Sequence, residues 1–244
     1  MTKMYLMRHG PKIDPLDFSG VDKNGINLEK TLELLSGNRD IENITGILAS
    51  PMLRTQLTAK IAEKIFAAPV NLSRELSAYA AEKFTSPSGE IVRDFQLINN
   101  QRQIVKGPYS QTESNYYFLI PMFSSPLFKE LMPNLKEMNE WAALREYAKL
   151  EKHQIYPFWT IMDLGIRGSK FLKRKAQNTK DKYLAISHSG IIEPIIAAGL
   201  NRNFKYVSDF IGERQWGFCE KAVCNYEGSE LKSVEFRGGK ITRK

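Results

Sequence analysis

Residues 3–10, KMYLMRHG, begin as a short apolar strand and stop abruptly at Arg8, His9 and Gly10. A strand that closes on charged side chains delivers them to the carboxyl edge of a sheet, which is where open α/β sheets bind ligands. The same design recurs twice. Residues 44–49 (ITGILA) are a second apolar strand, which ends at Ser50 and Pro51. Pro51 suits a first helical position, because its missing N–H would have no partner in the helix anyway. Leu53, Leu57, Ile61 and Ile65 then recur at helical spacing, so 51–66 is expected to be an amphipathic helix with Arg54 in its first turn. Residues 182–187 (KYLAIS) form a third such strand and run into His188. A helix is expected from about 191 to 198, with Gly199 placed to end it.

Outward from these stretches, 69–72 is a short strand. Residues 217–226 and 230–236 are expected to pair as a hairpin turning at Glu227 and Gly228. Strands alternating with helices imply an α/β three-layer sandwich around a mainly parallel sheet. Such a sheet can bring Arg8, His9, Arg54 and His188 to one rim. The middle of the chain breaks this rhythm. From about 85 to 153 it is rich in Pro, Ser, Met and aromatic residues, among them Tyr116, Tyr117, Phe118, Phe123, Phe128, Trp141 and Tyr147, and 127–150 looks helical. The expectation is one domain over 1–244 carrying an insertion at about 85–153, a helical or irregular cap over one end of the sheet. Its aromatic side chains would line a pocket wall or form a small core of their own.

Composition narrows the function classes. The chain has 244 residues, enough for one large domain with a real core. Hydrophobic residues at 42% and charged residues at 25% are those of an ordinary soluble globular protein. Two cysteines, Cys219 and Cys224, make no disulfide framework, and with three histidines they make a structural zinc site an unsuitable reading. The net charge of +8 favours anionic partners. Part of that excess lies in 170–182 and 237–244, which read as solvated surface. No nucleic-acid recognition motif accompanies the charge, so no nucleic-acid partner is expected. No run approaches the ~18 apolar residues of a membrane span, and residues 1–8 lack the apolar core of a signal peptide. The expected location is the cytoplasm.

The four rim residues suggest their own chemistry. A phosphate monoester presents two negative charges and three equatorial oxygens. Two guanidiniums can grip those oxygens and stay ionised throughout. A histidine beside two arginines is pushed toward neutrality, and a neutral imidazole is a nucleophile. His9 would attack phosphorus and carry the group as a phosphohistidine, while Arg8, Arg54 and His188 stabilise the charge on the transferring group. No metal and no cofactor are needed. Taken singly, each of these residues has an ordinary alternative, a solvated arginine or a satisfied core histidine. Two of three histidines at matching strand ends set that alternative aside. His153 lacks such a context and is taken as a surface or packing residue.

YLMRHG (5–10) resembles the signature of the histidine phosphatase superfamily, also called phosphoglycerate mutase-like. ILASPMLRTQLTA (47–59) resembles that family's second arginine block, and LAISHSGIIEPIIAAGL (184–200) its second histidine block. The three occur in the family's order. The resemblance implies the phosphoglycerate mutase-like fold, a nucleophilic His9, a phosphate pocket of Arg8, Arg54 and His188, and a phosphorylated small molecule or phosphoprotein as substrate.

One part of the pattern is displaced. The family places a carboxylic acid after the third strand, in a pattern like L-x-E, to protonate the leaving oxygen. In NLSRELSAYAAEKF (71–84), setting Leu76 on the leucine puts Ala78 at the acid position. Glu75 would point away from the side that Leu76 and Ala78 share. If 77–84 is helical, Glu82 lies on the face of Ala78 and becomes the candidate acid; a solvated glutamate is the alternative. Without an acid, phosphohistidine, acyl phosphate or phosphoanhydride substrates would suit better than alkyl phosphates. Pro15 stands where the family's mutases carry Asn, which favours a phosphatase over a mutase. A degenerate member that binds phosphate without turnover and a mutase or phosphotransferase are the competing readings. Lys12 would add positive charge at the mouth of the site, or belong to plain surface.

Overall fold

The computed structural model describes residues 2–13, 26–50, 53–76, 83–85, 91–93, 95–98, 101–104, 154–156, 159–178, 180–212 and 216–244. Its centre is a seven-stranded sheet. Strand β1 (Thr2–Arg8) is followed by helix α1 (Leu28–Ser36), strand β2 (Gly46–Ala49), helix α2 (Leu53–Phe66) and strand β3 (Val70–Leu72). Short strands β4 (Lys83–Thr85), β5 (Ile91–Arg93), β6 (Phe95–Ile98), β7 (Gln101–Ile104), β8 (Gln154–Tyr156) and β9 (Trp159–Thr160) come next. Helix α3 (Ile161–Ala176), strand β10 (Tyr183–Ser187), helices α4 (Ser189–Leu200) and α5 (Phe204–Ile211), and strands β11 (Lys221–Glu227), β12 (Glu230–Phe236) and β13 (Gly239–Thr242) complete the order.

The sheet runs β13-β12-β11-β1-β10-β2-β3. Strands β1, β10, β2 and β3 are parallel, whereas β11, β12 and β13 add an antiparallel meander along β1. The sheet is therefore mixed, with its parallel half carrying the three strand ends singled out in the sequence. Register sets those ends level: Arg8 pairs with Ser187, and Ile186 with Ala49.

Both faces of the central strands are covered, which is why they read as unbroken apolar runs. Met4, Leu6, Leu48 and Ala185 face a core filled by Leu164, Leu172, Ile191, Ile195 and Trp216. Tyr5, Met7, Ile47, Leu184 and Ile186 face a second core with Leu35, Ala59 and Ala62. The result is the expected α/β three-layer sandwich. Helices α3 and α4 meet closely because Gly165 has no side chain: a Cβ there would lie 2.4 Å from the Pro194 carbonyl oxygen.

Four local expectations need correction. Gly199 does not end α4. It lies inside the helix, where a Cβ would come within 2.6 Å of Leu231 Cδ2, and the helix stops at Asn201 in the left-handed region with φ 54°. The charged stretch 170–182 is partly helix α3, whose Leu172 and Ala176 are buried while Lys170 and Lys173 are exposed and Lys175 is half-buried. The tail is not wholly solvated, since β13 pairs with β12 and buries Ile241. In the segment expected to be helical or irregular, β4 pairs with β5 and β6 with β7, both antiparallel. The expected helix 127–150, the aromatic residues 116–147, Pro15 and His153 lie outside the described residues.

Candidate active site

The carboxyl edge of the parallel half assembles the site. Beyond the last paired residue of β1, His9 N–H donates to Ser187 O at 3.1 Å, and Ser50 N–H donates to Ile186 O at 3.2 Å. Three chain segments thus leave the sheet side by side. Next along the chain from β10 is His188, which precedes α4 in an extended conformation with φ −119°. Arg54 comes from the first turn of α2 and is 7% exposed.

The structure brings all four together. Arg54 Nε donates to His188 Nδ1 at 3.2 Å. The rings of His9 and His188 are 5.4 Å apart, centroid to centroid. His9 is 4% exposed and His188 5%.

Hydrogen bonds assign the tautomers. His9 Nδ1 lies 2.7 Å from Gly10 O. A carbonyl only accepts, so Nδ1 carries the proton and Nε2 holds the lone pair. A guanidinium only donates, so His188 Nδ1 accepts from Arg54 and Nε2 carries the proton. That Nε2 donates to Ser50 Oγ at 3.1 Å.

Electrostatics favour the neutral forms. His9 is held well below the ordinary histidine range, first by burial and then by the charges of Arg54, His188 and Arg8. His188 is lowered in the same direction by burial, then by Arg54, Arg8 and Lys12. Burial, reinforced by Arg54, pulls Arg8 down to about 10, which leaves it cationic at neutral pH.

Several supporting residues escaped the sequence reading. Gly10 N–H donates to Thr58 Oγ1 at 2.9 Å, and Thr58 Oγ1 donates to Arg54 O at 2.6 Å. Thr55 Oγ1 donates to Ser50 O at 2.6 Å. Helix α2 thereby fixes its own arginine and the loop after β1 together. Thr58 sits four residues past Arg54, so helical spacing would have placed it on the same face. The turn 216–220 was missed altogether. Cys219 N–H donates to Arg8 O at 3.1 Å, and Arg8 N–H donates to Glu220 O at 3.1 Å. Arg8 Nη1 donates to Trp216 O, and the Arg8 guanidinium lies 4.1 Å from the Phe218 ring centroid. Nothing local in the sequence marks this turn. It reaches the site because β11 runs antiparallel to β1, with Met7 opposite Lys221.

The acid position is less complete. Glu75 lies in a short 3₁₀ turn (Arg74–Leu76), accepts from Ser73 Oγ at 2.7 Å, and has Arg174 Nη2 at 3.6 Å from its Oε1. Burial raises its proton affinity, but the Ser73 and backbone hydrogen bonds and the charges of Arg167 and Arg174 outweigh it and hold the carboxyl below its usual range. Glu75 is thus an ionised partner of α3; it sits in a 3₁₀ turn, so the strand alternation invoked for its direction does not apply. The helix that supported Glu82 was to include Lys83 and Phe84, and these belong instead to β4. Glu82 and Ala78 lie outside the described residues. Among the described residues no three His, Cys, Asp or Glu side chains gather as a metal would require, and no helix is long and apolar enough to cross a membrane.

No protein-family model and no curated protein sequence matches the chain. Solved structures do. YhfR of Bacillus stearothermophilus is 13% identical, with 98% of this chain and 97% of that one covered and a TM-score of 0.57. A mutant phosphoserine phosphatase of Entamoeba histolytica in complex with phosphoserine is 13% identical, with coverage of 100% and 96% and a TM-score of 0.53. A mycobacterial glucosyl-3-phosphoglycerate phosphatase in complex with inorganic phosphate is 10% identical, with coverage of 98% and 98% and a TM-score of 0.54. At these identities the likeness is one of fold. The chain has the phosphoglycerate mutase-like fold that the three sequence blocks implied.

Proposed function

We propose that this chain is a histidine phosphatase, a metal-independent enzyme that hydrolyses a phosphate monoester or an activated phosphoryl group. The observation that carries the reading is the hydrogen bond from His9 Nδ1 to Gly10 O, which leaves the Nε2 lone pair in a buried pocket where Arg8, Arg54 and His188 all disfavour protonation. Nε2 attacks phosphorus, the N–P bond forms, and the bond to the leaving oxygen breaks with its electron pair. Water then attacks phosphorus, the N–P bond breaks, and phosphate leaves with His9 neutral again. Arg8 and Arg54 supply positive charge and N–H donors to the equatorial oxygens, and the neutral His188 adds its Nε2–H. One such donor is commonly worth about 10²–10³ in rate. Arg8 Nε supports the assignment, being buried with no hydrogen-bond partner among the described residues.

Phosphorylated small molecules are the first substrate class, and the similar structures include a phosphoserine phosphatase and a glucosyl-3-phosphoglycerate phosphatase. A phosphoprotein presenting phosphohistidine or another good leaving group is the second substrate class. It is favoured by the engagement of Glu75 with Ser73 and Arg174, which withdraws the carboxylate nearest the pattern's acid position. Glu82 is proposed as the general acid for poorer leaving groups.

The test is hydrolysis of p-nitrophenyl phosphate in the presence of EDTA. Turnover by the wild-type protein and none by His9→Ala is expected. Unchanged turnover in that variant would refute the mechanism. Tight phosphate binding with no hydrolysis of any ester or anhydride would point to a degenerate binder, and transfer to a phosphoglycerate faster than to water would point to a mutase.

A further inference from the structure

The turn 216–220 supplies no group to the chemistry above, yet it meets Arg8 at both backbone and side chain. Its Cys219 N–H and Glu220 carbonyl extend the pairing beside β1, and its Trp216 carbonyl takes Arg8 Nη1. The Phe218 ring lies against the guanidinium at 4.1 Å and 5.8 Å from the His9 ring, tilted by 50° to it. The turn is itself tied down. Glu220 Oε2 accepts from Gly217 N–H at 2.6 Å. Arg237 grips the same carboxylate with two bonds, Nε to Oε1 and Nη2 to Oε2, both 2.7 Å.

We infer that Phe218 is a positioning residue: its ring face fixes the plane of the Arg8 guanidinium so that the buried, unpartnered Nε is held toward the phosphoryl oxygens. The inference rests on the phosphatase reading for the identity of the anion. Its physics is independent of it. Among the described residues the Arg8 side chain makes one hydrogen bond, to a carbonyl, about which a guanidinium can swing, whereas a ring 4.1 Å from its central carbon restricts that swing. The contact also offsets part of the cost of burying a cation, because the ring presents its negative face. A role in packing alone would be served as well by leucine, and that difference is measurable.

The experiment compares wild type, Phe218→Leu and Phe218→Tyr by titration with inorganic phosphate, by KM for p-nitrophenyl phosphate, and by thermal midpoint without ligand. Phe218→Leu should weaken phosphate binding by roughly 5- to 30-fold, the range of a desolvated cation–π contact. KM should rise in step, while Phe218→Tyr stays within about twofold of wild type. A leucine variant that binds phosphate as tightly as wild type overturns the inference, as does a tyrosine variant equally impaired. Should the leucine variant fail to fold, the Arg8 Nε–H resonance decides. A ring-current displacement in wild type that persists in Phe218→Tyr supports the contact, and its absence in wild type overturns it. A folded wild-type protein that does not bind phosphate sinks the phosphatase reading and this inference together. Normal binding in both wild type and Phe218→Leu sinks the inference alone.

Discussion

Replacing Gly10 with alanine should disable His9 without touching it. A Cβ on Gly10 would lie 2.2 Å from Thr31 Oγ1 and 2.6 Å from Thr31 Cγ2, where ordinary contact begins at 3.4 Å. Thr31 is fully buried on α1, with its hydroxyl bonded to Asn27 O at 2.6 Å, so it has little room to yield. The backbone of Gly10 must therefore move by about an ångström, and it carries both the N–H held by Thr58 and the carbonyl that sets the His9 tautomer. A misplacement of about 1 Å at a reacting group costs on the order of 10²-fold in rate. The overpacking itself costs about 1–3 kcal/mol, or roughly 2–12 °C in Tm for a chain of this size. Thr31→Ala alone loses one hydrogen bond, about 1 kcal/mol. In the double variant the nearest atom is Thr31 Cβ at 3.0 Å, a few tenths of an ångström from comfort. The double variant should therefore be more active than Gly10→Ala, by at least about tenfold, and no less stable, a coupling of opposite sign to simple addition. Calorimetry and kcat/KM for p-nitrophenyl phosphate measure both. A Gly10→Ala protein with wild-type Tm and activity, or a double variant showing the plain sum of the two losses, would refute the reasoning.

Two further outcomes follow from the buried titratable groups. In the folded protein His9 and His188 bind protons less readily than ordinary histidines. Unfolding below the ordinary value of about 6.5 therefore takes up protons, so their contribution to stability is full above that pH and declines below it, by about 1.4 kcal/mol per pH unit for each histidine. Urea unfolding at pH 7.5 and 5.5 should show this loss in wild type and a smaller one in a His9→Gln/His188→Gln protein; equal losses in the two would contradict it. Burial pushes the thiols of Cys219 and Cys224 up to about 12, so neither should react with Ellman's reagent at pH 8 until the protein is unfolded. Rapid labelling of the native protein would show the burial to be wrong.

Strand ends were the legible part of this molecule. A run of apolar residues that stops at Arg8 and His9, or at Ser187 and His188, announces itself locally, and so does the helical spacing of Leu53, Leu57, Ile61 and Ile65 that puts Arg54 in the first turn of α2. Where a residue's role depended on a distant neighbour, local signals misled. Gly199 looked like a helix terminator, but its lack of a side chain serves contact with Leu231, thirty-two residues away, while Asn201 takes the left-handed turn. The tail looked solvated because its charges dominate, yet Ile241 anchors it to β12. The helix drawn from spacing for 77–84 conflicts with the strand at Lys83–Thr85.

From its order of residues alone, this protein declared a mainly parallel α/β sheet and four side chains at its strand ends that read as partners for a tetrahedral dianion, because hydrophobic periodicity and strand-end polarity are properties of short stretches. Tertiary structure alone decided which imidazole nitrogen carries a proton, and that an aromatic turn 208 residues from Arg8 closes against its guanidinium. Those facts depend on which strands lie side by side and in what register, and register is a relation between segments that no single segment encodes.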